Sequence, residues 1–169
     1  MFATETTTLL AHPLPAVAAL LGRVSALPRW CGGVRRAHHA GGIVAPCGPA
    51  GCEISYAIAR DVRLLLMART VAREPGGPIV HVAQGDGVTL TWSFTLAEEA
   101  GPGLPAVAHT RVIARTELVV DAAHPTMAHR AAISRLIARR APEDVARLAA
   151  LLDRPAVAMH RAPLASTHP

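Results

Sequence analysis

From Val88 to Leu96 the chain alternates without a slip. Val88, Leu90, Trp92, Phe94 and Leu96 fall on one side, and Thr89, Thr91, Ser93 and Thr95 on the other. A period of two places successive side chains on opposite faces of an extended strand, so the stretch reads as a strand with one apolar and one polar face. The same period returns in Val107–Asp121, where Val112, Ala114, Thr116, Leu118 and Val120 oppose Arg111, Arg115 and Glu117. It returns again in Cys52–Ala59, with Ile54, Tyr56 and Ile58 together. Repeated half-buried strands with short connections favour an antiparallel sheet with one wet face. The absence of helices between them argues against a doubly wound parallel fold.

The remaining elements fit around these strands. Residues 3–10 are rich in β-branched Thr and read as a strand, which His12-Pro13-Leu14-Pro15 ends. Pro15–Gly22 and Val24–Trp30 read as two short helices, the second closed by Cys31-Gly32-Gly33. Val34–His39 and Ile79–Gln84 are further strands, and Gly85-Asp86-Gly87 is a hairpin signal. Arg63–Arg73 is a long strand that is apolar at both parities. Leu65, Met67, Arg69 and Val71 can face inward, or Leu64, Leu66 and Ala68 can, and the pattern alone leaves both registers open. From Thr126 to Arg140 a helix carries Met127, Ala131, Ile133 or Ser134, and Ile137 on an apolar stripe. Pro142 followed by Glu143-Asp144 restarts or kinks that helix, which continues through Leu148 and Leu152 to Pro155. Residues 1–155 therefore form one domain, as 169 residues would suggest, and 156–169 form an Ala-, Pro- and His-rich tail.

Composition removes several function classes. The net charge of +5 invites a nucleic-acid reading, but the chain has no Lys and its 17 basic side chains are all Arg, spread from Arg23 to Arg161. Only five residues are Phe, Trp or Tyr, too few for the aromatic platforms on which bases stack. Nucleic acid is not an expected partner. Cys31, Cys47 and Cys52 are odd in number and lack finger-like partners, so three ordinary thiols in a reducing compartment are expected, with no metal and no cofactor. No apolar run approaches the ~20 residues of a membrane span. The start, Met1-Phe2-Ala3-Thr4-Glu5, lacks a basic n-region. The expectation is a cytoplasmic protein without a transmembrane segment, with a homodimer left open.

The order of strand, two short helices, six strands and a long helix describes a seven-stranded curved antiparallel sheet gripping a C-terminal helix. In its ordered pieces the sequence resembles the START-related SRPBCC superfamily, nearest its polyketide cyclase/dehydrase branch. The stretch Thr6–Val17 resembles the family's first strand and helix, and Leu27-Pro28-Arg29-Trp30-Cys31-Gly32-Gly33-Val34 resembles its step from Trp to Val into the second strand. Ala68–Pro75, Gly87–Phe94 and His109-Thr110-Arg111-Val112 resemble the central, penultimate and last strands. A Pro-Val-Gly-type start to the third strand is replaced by Gly48-Pro49-Ala50-Gly51. The resemblance spans residues 4 to about 153. It implies an α+β helix-grip fold with a hydrophobic cavity between sheet and helix, but no single activity.

Such a cavity needs apolar walls with a few convergent polar groups. The candidate ligand-binding residues are Tyr56, Met67, Arg69, Trp92, Phe94 and Val112 from the sheet, with Met127 and Ile137 from the helix. Arg69 is the polar residue of most interest, because a buried guanidinium demands a partner or an anionic ligand group. Two functions follow. One is a carrier for a hydrophobic or amphipathic small molecule. The other is a cyclase/aromatase-like enzyme in which Arg69, Tyr56 and a histidine polarise carbonyls and move protons. The nine histidines otherwise read as surface or rim residues, and the arginine-rich helix face offers a weaker protein-interaction reading.

Overall fold

A computed structural model describes residues 1–39, 51–58, 62–73, 76–85, 87–100, 108–124, 128 and 130–153. The elements run β1 (Phe2–Leu10), α1 (Leu14–Leu21), α2 (Leu27–Trp30), β2 (Val34–His39), β3 (Cys52–Ala57), β4 (Arg63–Arg73), β5 (Ile79–Gly85), β6 (Val88–Ala100), β7 (Ala108–Val120) and α3 (Arg130–Leu152). A 3₁₀ turn at Val24–Ala26 leads into α2. The strands form one antiparallel sheet in the order β1-β7-β6-β5-β4-β3-β2, curled into a half-barrel with α3 along its concave side. This is the helix-grip architecture that the order of elements anticipates.

The concave face is the core. Val88, Leu90, Trp92 and Phe94 of β6 are buried, as are Val112 and Leu118 of β7 and Ile54 and Tyr56 of β3. The pairing Trp92↔Thr116 and Phe94↔Ala114 keeps the alternating sets of β6 and β7 on the same face. In β4 the structure decides between the two open registers. Leu64, Leu66 and Ala68 are buried, while Leu65 is 66% exposed and Met67 41% exposed. Met67 and Arg69 therefore lie on the convex face, a correction to the expectation that they line the interior. The cause is the pairing with β3, where Leu64 and Leu66 sit opposite the buried Tyr56 and Ile54. Because the side-chain period is two, that register turns Leu65, Met67 and Arg69 outward.

Two irregularities re-aim side chains. The β2–β3 register shifts between Val34 and Arg36, so Arg35 is an extra residue opposite β3. Val34 is buried and Ala37 packs against the core, while Arg35 and Arg36, successive in the chain, are both exposed. A second shift falls between Thr70 and Ala72. The helix α3 runs unbroken for 23 residues with Pro142 inside it, so of the restart or kink expected there the restart does not occur and the helix continues.

His81 belongs to the architecture. It is fully buried on β5, its Nε2–H donating to the Leu21 carbonyl (2.6 Å) while Nδ1 meets the Thr70 hydroxyl (3.0 Å). It ties the end of α1 to the sheet and is neither a surface nor a rim histidine. Cys52 is disulfide-bonded and Cys31 is free, which corrects the reading of three ordinary thiols and removes its support for a reducing compartment. No helix among the described residues is long and apolar enough to cross a membrane.

Candidate ligand cavity

Between the concave face and α3 lies a small void of about 20 Å³, roughly the room of one water molecule. Trp92 and Phe94 of β6, with Val112, Ala114 and Thr116 of β7, form its floor. Trp30 closes one side, and Ala141, Asp144, Val145 and Leu148 of α3 form the roof. The aromatic rings meet edge to face. Trp30 and Phe94 have centroids 5.6 Å apart, Tyr56 and Trp92 6.1 Å, and His81 and Phe94 6.2 Å. Such contacts hold large rings in fixed orientations at the base of the void.

Polar groups gather where α3 crosses the Trp30–Gly33 segment. Asp144 accepts a hydrogen bond from the Gly32 N–H at 2.7 Å and another from the Cys31 thiol. Burial raises the Asp144 carboxyl above its ordinary value, against the opposing pull of those hydrogen bonds and of Arg147 and Arg140. Burial likewise pushes the Cys31 thiol up, with Asp144 adding to the rise, so Cys31 stays protonated and is not a nucleophile at neutral pH. Tyr56 is raised by burial against the pull of Arg140. The Arg140 guanidinium sits 5.5 Å from the Tyr56 ring centre and donates to the Ala57 carbonyl. Gly33 makes this crossing possible, because a Cβ there would lie 2.3 Å from the Tyr56 ring and 2.8 Å from the Arg140 guanidinium. The Trp30 indole Nε1 is buried and has no hydrogen-bond partner among the described residues. An unpaired buried donor is costly, and here it belongs to a residue that walls the void.

The candidates from sequence divide accordingly. Trp92, Phe94 and Val112 line the void. Tyr56 is buried beside it against Trp92. Ile137 is buried in the core on α3 without lining the void. Met67 and Arg69 point away on the convex face, and Met127 lies outside the described residues. Arg69, Tyr56 and a histidine do not converge: Arg69 is outside, and His81 is committed to Leu21 and Thr70. Trp30, Asp144 and Leu148 went unnamed as wall residues. Asp144 stands seven residues after Ile137 and Leu148 seven after Ala141, a heptad spacing that puts them on the same helix face. Among the described residues no His, Cys, Asp or Glu group of metal-binding size is gathered.

A half-barrel of seven antiparallel strands holding one terminal helix over an aromatic-floored void is the helix-grip fold, and solved START and aromatase/cyclase structures are similar to this chain in that fold. The Zhui aromatase/cyclase from Streptomyces sp. R1128 superposes with a TM-score of 0.65 at 11% identity, over 90% of this chain and 93% of that one. TTHA0849 from Thermus thermophilus gives 0.64 at 12% identity, over 89% and 96%. A START superfamily protein from Mycobacterium smegmatis gives 0.56 at 12%, over 90% and 97%. No protein-family description and no curated protein matches the chain by sequence.

Proposed function

We propose that this protein binds a hydrophobic or amphipathic small molecule between its sheet and α3. The observation that carries the reading is the void itself, with Trp92 and Phe94 in its floor, three aliphatic residues and Asp144 in its roof, and in its wall residue Trp30 a buried donor that no described residue partners. Ligand pockets combine apolar walls with a few fixed polar groups in this way. A START superfamily protein and an aromatase/cyclase share this fold, which fits a small-molecule reading.

At about 20 Å³ the void is far below the roughly 300–1,000 Å³ of an occupied small-molecule site. Binding therefore requires α3 to lift. Its buried residues, among those described, are Ile133, Ile137 and Leu148. A ligand entering beneath them exchanges one apolar contact for another, so the hydrophobic term largely cancels and the helix can move without exposing its stripe.

The test is native mass spectrometry of freshly purified protein, followed by titration with fatty acids and polyphenols. An apolar adduct is expected, lost in Ala114→Phe, where the new ring fills the floor. No adduct and no saturable binding across the panel would refute the reading.

A further inference from the structure

On the far side of Trp30 lies a second concavity of different character. It holds about 320 Å³, and its walls include Arg29, Arg35 and Arg147 with the Trp30-Cys31-Gly32 backbone segment between them. We infer that this cleft is a binding site for a phosphate-bearing anion, distinct from the ligand cavity although Trp30 lines both.

The three guanidinium groups come from three separate elements. Arg29 stands on α2, Arg35 on β2 and Arg147 on α3. Arg35 follows the buried Val34 and is exposed, and the bulge there leaves the next residue, Arg36, exposed as well. Arg147 lies over Gly32, where a Cβ would meet its guanidinium at 1.6 Å, so the bare glycine lets the cation sit against the segment.

Like charges gathered in one cleft repel unless something answers them. Among the described residues, the Arg29 and Arg35 side chains have no ion pair or hydrogen bond. Arg147 has only long contacts, 4.0 Å to Glu143 and 3.5 Å to Asp144, and Arg139 also pairs with Glu143. Asp144 is already engaged by Gly32 and Cys31. The cleft thus keeps two unanswered cations and a third that is partly answered. Guanidinium forks match phosphate oxygens, and a doubly charged phosphomonoester meets several cations at once better than a single carboxylate does. The volume leaves room for a small organic body on the phosphate.

The experiment is calorimetric titration of the full chain at low ionic strength with inorganic phosphate and with glycerol 3-phosphate. Co-sedimentation with phosphatidylcholine vesicles, with and without phosphatidic acid, runs beside it. Saturable binding is expected, weakened about tenfold by Arg35→Gln or Arg29→Gln, each of which removes a charge-assisted hydrogen bond. Arg111→Gln, which removes the partner of Glu99 on another surface, should change nothing. Binding of the soluble phosphates alone assigns the site to a free phosphomonoester. Additional capture by phosphatidic acid vesicles, lost in Arg35→Gln, assigns it to a lipid headgroup. No saturable binding in either assay, or equal weakening by Arg111→Gln, overturns the inference. The cavity variant Ala114→Phe should leave phosphate binding intact, so failure of one site is distinguishable from failure of the other.

Discussion

Leu148→Ala asks whether α3 truly grips the sheet. Leu148 is 1% exposed and roofs the void above Phe94 and Val112. Truncation loses the transfer free energy of the leucine head and leaves a hole. Here the hole opens onto a void that is already present and floored by rings held edge to face, so little collapse can follow. The cost should therefore fall in the upper part of the usual Leu→Ala range, about 3–5 kcal/mol. For a domain of this length that corresponds to a fall in Tm of about 6–20 °C. Urea unfolding followed by far-ultraviolet circular dichroism would measure it. The enlarged void should also accept a small aromatic probe, because apolar cavities of about 150 Å³ stay dry and bind benzene. Benzene should then raise the Tm of the variant and not of the parent. A loss below about 1 kcal/mol, together with no response to benzene, would mean that Leu148 is not packed between helix and sheet. The reasoning for a grip at this point would then be refuted.

Other outcomes follow from the same geometry. Gly33→Ala forces a methyl into the Tyr56 ring and should cost about 1–3 kcal/mol, read from denaturant midpoints. Met67→Ala, on the convex face, should change stability by about 0.5 kcal/mol or less, and a loss several times larger would reverse the β4 register. His81→Phe leaves the Leu21 carbonyl without its buried donor and should cost about 1–3 kcal/mol. Asp144 has its acid form favoured by the fold, so between its unfolded and raised folded pKa the native state binds more protons than the unfolded chain. Its contribution to stability is then full below the unfolded value and lost as pH rises through the folded one. The difference between parent and Asp144→Asn urea midpoints, followed from about pH 3.5 to 7 across the unfolded carboxyl range, should shift in favour of the variant as pH rises.

The strands were legible because their polar and apolar residues segregate cleanly. Thr89, Thr91, Ser93 and Thr95 leave Val88–Phe94 only one face to bury. β4 was illegible for the opposite reason. Leu64, Leu65, Leu66 and Met67 satisfy either register, and the choice is made by the neighbouring strand through Tyr56 and Ile54, a long-range term absent from any local pattern. The bulge at Arg35 leaves no trace in a six-residue strand, yet it leaves two successive arginines exposed. Asp144 follows Pro142 as an acid in the first turn of a new helix would. Its place over Gly32 emerges only because α3 passes through the proline without a break. The wall of the site was thus half readable: the floor was written in alternation, and the roof depended on how one helix lies.

The thiol of Cys31 gains a use from its position. It is free, 1% exposed, and sealed where Asp144 of α3 crosses the segment. A thiol reagent in solution can reach it only in the moments when that crossing parts. Its rate of modification is therefore a clock on the opening of the chamber, set by an equilibrium between closed and parted forms rather than by the chemistry of sulfur. Anything that occupies the chamber must change the clock's pace, even where no spectroscopic signal marks its arrival.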